Sequence, residues 1–252
     1  MNFNASTIKN RITKMPDGQP EIVVPGNKKL SVGHSIYDFY LRHYAGVDPS
    51  DGLALYTPVD GATGSSIRTV NGVTYTTVTS NAKLDYTGDS SIPDVYGALT
   101  NNFTYKGFSL SVLLNYQLGG KIYDSNYAGL MSVSSYGGAL HKDILNSWMK
   151  AGDITDIPRL DPGNSANLYA ASDRWLTNAS YLYFRNATLN YTLPKQLASK
   201  LTVKNARIYV SGENLFLISG RKGLDPTQNF NGTVTNAYVP QRIVSLGLNF
   251  SL

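Results

Sequence analysis

The chain has 252 residues, of which only 15% are charged, with a formal net charge of +5 and no cysteine. Soluble domains carry roughly 25% charged residues, and a chain without cysteine has no disulfide, thiolate metal site or cysteine nucleophile. The positive charge is spread without a block of lysines or arginines, the pattern of a solvated surface, so no nucleic-acid partner is expected.

Tyrosine dominates the aromatics, 18 against 8 Phe and 2 Trp. Its apolar ring and polar tip suit membrane interfaces and sugar-binding surfaces alike. No apolar run approaches the roughly 18 residues of a membrane helix. Barrel strands alternate lipid-facing and lumen-facing side chains, so hydropathy averages conceal them. Met1 is not followed by a charged-then-apolar leader.

In chain order, residues 1–14 read as one strand, polar on both faces. Leu30–Tyr44 is rich in β-formers and ends at Asp48-Pro49. Residues 60–92 are Gly/Ser/Thr-rich loop material with small strands of their own and a turn at Asn71-Gly72. A clear hairpin follows, Val95–Tyr105 and Phe108–Leu118 around Lys106-Gly107. In its second strand Phe108, Leu110, Val112, Leu114, Tyr116 and Leu118 share one face, and a mostly polar set shares the other. Periodicity alone does not separate a sandwich strand from a porin-like one.

Ala139–Ala151 predicts a short helix with Leu140, Ile144, Leu145 and Trp148 on one side, inside a long connection over about 119–174. A second large hairpin runs from Tyr181–Leu193 through a short polar connection at Pro194–Thr202 to Val203–Leu217. Pro194, lacking an N–H, ends its first strand. The last strand is Val239–Leu252. Strands of about 9–11 residues are what a tilted strand needs to cross a bilayer. Short turns are then periplasmic and long connections extracellular, and Phe103, Tyr105, Phe108, Tyr191 and Phe250 fall near the periplasmic rim.

Catalytic signals are weak. His34, His43 and His141 lie far apart with no metal-ligand spacing. Gly33–Tyr37 lacks the second glycine of a nucleophile elbow. Asp153, Asp156 and Asp161 sit in a Pro/Gly-rich loop, where turn-forming roles outweigh a glycosidase pair. No catalytic, metal or cofactor-binding residue is assigned. Tyr136, Trp148, Tyr169 and Trp175 are candidate substrate or partner contacts from the loops, with loop packing as the competing role. By alternation Arg207, Tyr209, Ser211 and Glu213 share a lumen face opposite Ile208 and Val210.

Several stretches, GHSIYDFYLRHYAGVDP at Gly33–Pro49, DVYGALTNNFTYKGFSLSVLLNYQLGGKIYD at Asp94–Asp124, HKDILNSWMKAGDITDIPRL at His141–Leu160 and SDRWL…ASYLYFRNATLNYTLP…ARIYVSGENLF…KGLDP from Ser172, together with the final RIVSLGLNFSL, resemble the C-terminal end of SusC/RagA-family TonB-dependent outer-membrane transporters. The resemblance covers most of the chain. It implies that 1–252 is the C-terminal portion of a plugged barrel, without signal peptide or plug, localised to the outer membrane. It further implies import of oligosaccharides or peptides, a SusD-like surface lipoprotein as lid, and coupling to the TonB complex through a missing N-terminal region. Leu246, Leu248, Phe250 and Leu252 look like the terminal β-signal read by the outer-membrane insertion machinery, although the family usually ends in Phe.

The fold expected is therefore all-β: an antiparallel transmembrane β-barrel portion, open at both edges, with long extracellular loops and one short loop helix. Its length suggests roughly seven to nine wall strands. Two alternatives make separate demands. A small self-closed barrel requires the first strand to pair with the last. A soluble glycan-binding β-sandwich requires the apolar faces of Phe108–Leu118 and Val244–Leu252 to meet in one core.

Overall fold

The computed structural model describes residues 1–133, 137–234 and 238–251. Its largest sheet is six-stranded and antiparallel. In spatial order the strands are Asn2–Ser6, Val95–Tyr105, Phe108–Leu118, Tyr181–Thr192, Asn205–Ser219 and Ile243–Ser251. This wall has six strands, fewer than the length suggested. Residues 7–94 put their β-formers elsewhere, into two four-stranded sheets of their own.

The wall is open. Asn2–Ser6 pairs with Val95–Tyr105 and Ile243–Ser251 with Asn205–Ser219, so the first and last strands are the two edges and the self-closed barrel does not form. The sandwich does not form either. Phe108–Leu118 and Ile243–Ser251 lie in one sheet, separated by two strands, and Leu246 and Phe250 are 75% and 65% exposed.

The hairpin at Lys106-Gly107 is as tight as the sequence indicates. Tyr105 pairs directly with Phe108, and the two turn residues have φ of 45° and 86°, both left-handed as a type I′ turn requires. The second short connection contains a helix of one and a half turns, Lys195–Lys200. Both short connections lie at one rim, because Tyr105, Phe108, Tyr191, Ile208 and Leu248 follow one another across the register. The three long connections, 7–94, 119–180 and 220–242, leave from the opposite rim.

Those long connections fold together into a cap, and the cap holds the hydrophobic core. Phe39, Leu41, Ala54, Tyr56, Tyr123, Met131, Ile144, Ile157, Leu168, Tyr169 and Trp175 form one buried cluster. A soluble domain hides the apolar residues of its sheet and decorates its loops. Here the wall strands carry their apolar residues outward, and the loops do the burying.

The expected helix over Ala139–Ala151 is absent. The stretch contains a single 3₁₀ turn, Lys142–Asn146. Ser147 is extended (φ -63°, ψ 154°). Trp148 thereby reaches Pro49, whose carbonyl accepts its Nε1–H at 3.1 Å, and its backbone N–H bonds the Ile157 carbonyl at 2.9 Å. Tertiary docking of one tryptophan overrides a weak local helical pattern. The loop helix lies upstream instead, at Ser125–Met131, where Asp124 caps it by accepting the Tyr127 N–H at 3.0 Å.

Candidate functional site

The two faces of the wall differ in chemistry, with exceptions, among them Leu113 and Leu217 on the polar face and Asn101 on the apolar one. Cross-strand partners share a face, so the register can be followed from edge to edge. One face carries Phe3, Leu99, Phe103, Phe108, Leu110, Leu114, Leu182, Phe184, Leu189, Ile208, Val210, Phe216, Ile218, Val244, Leu246, Leu248 and Phe250. The other carries Asn4, Thr100, Asn102, Ser109, Ser111, Asn186, Thr188, Asn190, Ser245 and Asn249. Eleven residues, Phe108–Leu118, rising about 3.3 Å each and tilted about 40°, give an apolar height of about 25 Å, that of a transmembrane barrel band. Aromatic rings recur along this face: Phe108 on Tyr191 with centroids 4.5 Å apart, Phe184 stacked on Phe216 at 4.0 Å and Phe3 on Tyr116 at 5.9 Å.

One irregularity keeps this division intact. Apolar alternation in YLYFRNATLNYT runs through Leu182 and Phe184, then resumes one residue out of phase at Ala187, Leu189 and Tyr191. The register shifts between Phe184 and Asn186, opposite Asn214 and Leu215. This bulge restores the phase. It also holds a polar cluster that sequence reasoning missed. Arg185 donates to Asn214 Oδ1 at 2.9 Å and lies 4.7 Å over the Tyr183 ring. The Asn214 amide N–H2 donates to the Gln241 carbonyl at 3.0 Å, and φ of Asn214 is 51°. The phase slip was the available signal.

Arg207, Tyr209, Ser211 and Glu213 occupy one row of the polar face, opposite Ile208 and Val210. Their partners in the last strand are Asn249, Gly247, Ser245 and Ile243. Tyr209 lies across Gly247, where an added Cβ would come within 2.2 Å of its ring. Leu246, Leu248 and Phe250 share the apolar face. Leu252 lies outside the described residues.

The loop aromatics have different surroundings. Trp175 is 1% exposed. Its Nε1–H bonds the Ala170 carbonyl at 2.9 Å, and the Arg174 guanidinium covers its ring at 4.7 Å. Tyr169 is buried in the same core. Both rings pack inside the cap, with no face open to a ligand. Trp148 is half-buried against Gly52, whose φ is 75° and where a Cβ would come within 2.5 Å of the indole. Tyr136 lies outside the described residues.

Charged groups brace the cap. Asp124, with no exposed surface, accepts from Arg221 Nε at 2.7 Å and from Arg221 Nη2. This joins the helix N-terminus to the third long connection. Asp173 accepts from the Tyr44 N–H at 2.9 Å and pairs with His43 Nδ1 at 2.8 Å. Asp153 receives the Met149 and Lys150 N–H groups, which hold its carboxyl below the usual range. Burial pushes the Tyr56 hydroxyl up to about 12.

Lys28 is buried, with its ammonium 3.2 Å over the Phe39 ring and donating to the Tyr37 carbonyl. Burial lowers its pKa from 10.5 to about 7, and the nearby Asp38 carboxylate offsets this in part. Between about pH 7 and 10 the unfolded chain therefore binds the extra proton, and stability rises with pH across that window. Above pH 10 the buried tyrosines reverse the trend, because unfolding then releases their protons. Thermal unfolding of the cap, followed by Trp175 fluorescence, should shift upward from pH 7 to pH 9.5, and Lys28→Met should flatten the rise.

No protein-family model matches the chain. Individual proteins do match. TonB-dependent receptor P3 of Formosa agariphila is 27% identical over 271 residues, covering 98% of this chain and 26% of the receptor. TonB-dependent receptor SusC of Bacteroides thetaiotaomicron is 28% identical over 258 residues, covering 99% of this chain and 24% of its own length. Among solved structures, the RagAB peptide transporter superposes with a TM-score of 0.77 at 26% identity, covering 95% of this chain and 26% of that one. The same importer in its 'open-open' state gives 0.75. The chain thus spans about a quarter of the length of the relatives it matches. In sequence and in fold together, it is similar to a portion of the barrel wall, with its cap, of SusC/RagA-type TonB-dependent receptors.

Proposed function

We propose that the chain forms part of the wall and the outward-facing cap of an outer-membrane TonB-dependent transporter that imports oligosaccharides or peptides. The observation that carries this reading is the inverted distribution of apolar residues. The wall exposes a continuous apolar band of bilayer height, and the core sits in the loops. In this orientation the apolar face meets lipid and the row Arg207, Tyr209, Ser211 and Glu213 lines the lumen. The short turns are periplasmic and the cap is extracellular. Leu246, Leu248, Phe250 and Leu252 act as the signal for the insertion machinery. The names of the relatives, a TonB-dependent receptor and a peptide transporter among them, support energised uptake. They also favour a SusD-like lipoprotein seated on the cap and coupling to the TonB complex. No catalytic step is assigned to the chain.

Because the chain has no cysteine, sidedness can be mapped with single introduced thiols. Lys150→Cys, in the cap, should react with a membrane-impermeant maleimide in intact cells. Gln196→Cys, in the second short connection, should react only after the outer membrane is permeabilised. Labelling of both sites in intact cells, or of neither, would overturn the orientation.

A further inference from the structure

A cavity of about 310 Å³ lies where the upper wall meets the third long connection, lined by Tyr96, Gln117, Tyr181, Ile122, Asn229 and Phe230, among others. Small-molecule sites begin at about this size. We propose that it is a subsite for one uncharged pyranose ring of a glycan. The inference rests on the polar face being the lumen face.

Three adjoining strands build the floor. Tyr96 is the register partner of Gln117, and Gln117 is the partner of Tyr181, so the three side chains stand in a row on the polar face. Strands lie about 4.8 Å apart, so the row spans about 10 Å, wide enough for one sugar ring with its exocyclic hydroxyls. Ser91, whose buried hydroxyl has no hydrogen-bond partner among the described residues, also lines the cavity.

The free polar groups match a sugar's hydroxyls, each of which both donates and accepts. Gln117 Nε2 donates to the Ala179 carbonyl at 3.2 Å, which orients the amide and leaves its oxygen as an acceptor. Asn229 Oδ1 accepts from the Asn231 N–H at 2.9 Å, leaving its amide N–H2 as a donor. The Tyr96 and Tyr181 hydroxyls make no hydrogen bond to the described residues and can serve either way. Phe230 meets Tyr37 edge-on at 5.2 Å and is 45% exposed, leaving ring surface for the C–H face of a pyranose.

The same geometry disfavours a peptide. Phe108–Leu118 is paired on both sides, so the floor offers no free strand edge for main-chain recognition. Among the described residues no carboxylate lines the cavity, so a peptide ammonium finds no counter-ion there, and Lys121 is the sole charged residue of that lining.

Saturation-transfer NMR on the intact detergent-solubilised protein tests this. The probes are methyl α- and β-pyranosides of glucose, galactose and mannose, with trialanine in a separate sample. At least one pyranoside should receive saturation at its ring protons. Gln117→Leu and Phe230→Ala should each weaken it fivefold or more, and Tyr209→Phe, on the same face outside the cavity, should not. Phe230 sits in an exposed loop, so its variant keeps the test valid where a wall substitution disturbs folding. The proposal is overturned if no pyranoside responds, if the response ignores both variants, or if trialanine binds in a manner abolished by Gln117→Leu. If the maleimide map holds while the pyranosides fail, only the subsite is lost. If the map fails, the lumen assignment beneath it is lost as well.

Discussion

Leu114→Arg is expected to destabilise the membrane-embedded wall by about 2–4 kcal/mol, and Ser111→Arg to leave it nearly unchanged. Leu114 stands midway between Phe108 and Leu118 on the apolar face, paired with Leu99 on one side and Phe184 on the other. In the proposed orientation that row meets the bilayer midplane. An arginine there must leave its charge in hydrocarbon or drag water and headgroups inward. Ser111 lies three residues away on the polar face, between Asn102 and Thr188, where the guanidinium stays hydrated. Denaturant unfolding in phospholipid vesicles measures both variants in the barrel that carries this chain. Equal costs at the two positions would mean that both faces see the same solvent, and the lipid assignment would fall.

The second large effect is expected at Asp124. Removing one member of a buried ion pair costs about 3–5 kcal/mol, because the partner's charge is left desolvated. Asp124→Ala removes the carboxylate from Arg221 and the cap from the Ser125–Met131 helix, which adds about 1 kcal/mol. Arg221→Met leaves the carboxylate unpaired in a site with no exposure, so its cost should be comparable. Asp124→Asn keeps an acceptor for the Tyr127 N–H and should cost less than Asp124→Ala. Asp124→Asn with Arg221→Met should cost less than the sum of the two single changes, since no stranded charge remains. Hydrogen exchange over 125–131 and 221–225 is the readout. The wall should keep its protection, because the affected contacts lie within the cap. Additive costs in the double variant would mean that the pair is not energetically coupled.

The wall was largely legible before any coordinates. Strand alternation has a period of 2, so Phe108–Leu118 and the final strand each reveal two faces of opposite chemistry. Lys106-Gly107 reveals its turn because few dipeptides accept two left-handed residues in succession. Pro194 reveals its strand end because proline lacks an N–H. The row Arg207, Tyr209, Ser211 and Glu213 followed from alternation alone, and the register places it on one face. The bulge at Arg185 was missed, though the slipped phase between Phe184 and Ala187 announced it.

The cap was not legible in the same way. Its core joins residues from connections far apart in sequence, such as Phe39, Tyr123 and Trp175. No local period records such contacts. Trp148 and Ile144 share a helical spacing, yet Trp148 docks against Pro49 and Gly52 and the helix gives way to a single 3₁₀ turn. Trp175 and Tyr169 had the composition of a binding surface, and long-range packing enclosed them instead.

Alternation, turn residues and strand length thus determined from sequence alone that this protein is an antiparallel two-faced wall with long connections at one rim. Each of those signals acts between near neighbours along the chain. Tertiary structure decided how many strands enter the wall, which loop aromatics are buried, where Asp124 finds Arg221, and that Tyr96, Gln117 and Tyr181 share a roofed cavity. These depend on which distant segments reach one another, and that choice is set by summed burial and charge pairing across the whole fold, for which no short stretch of sequence carries a record.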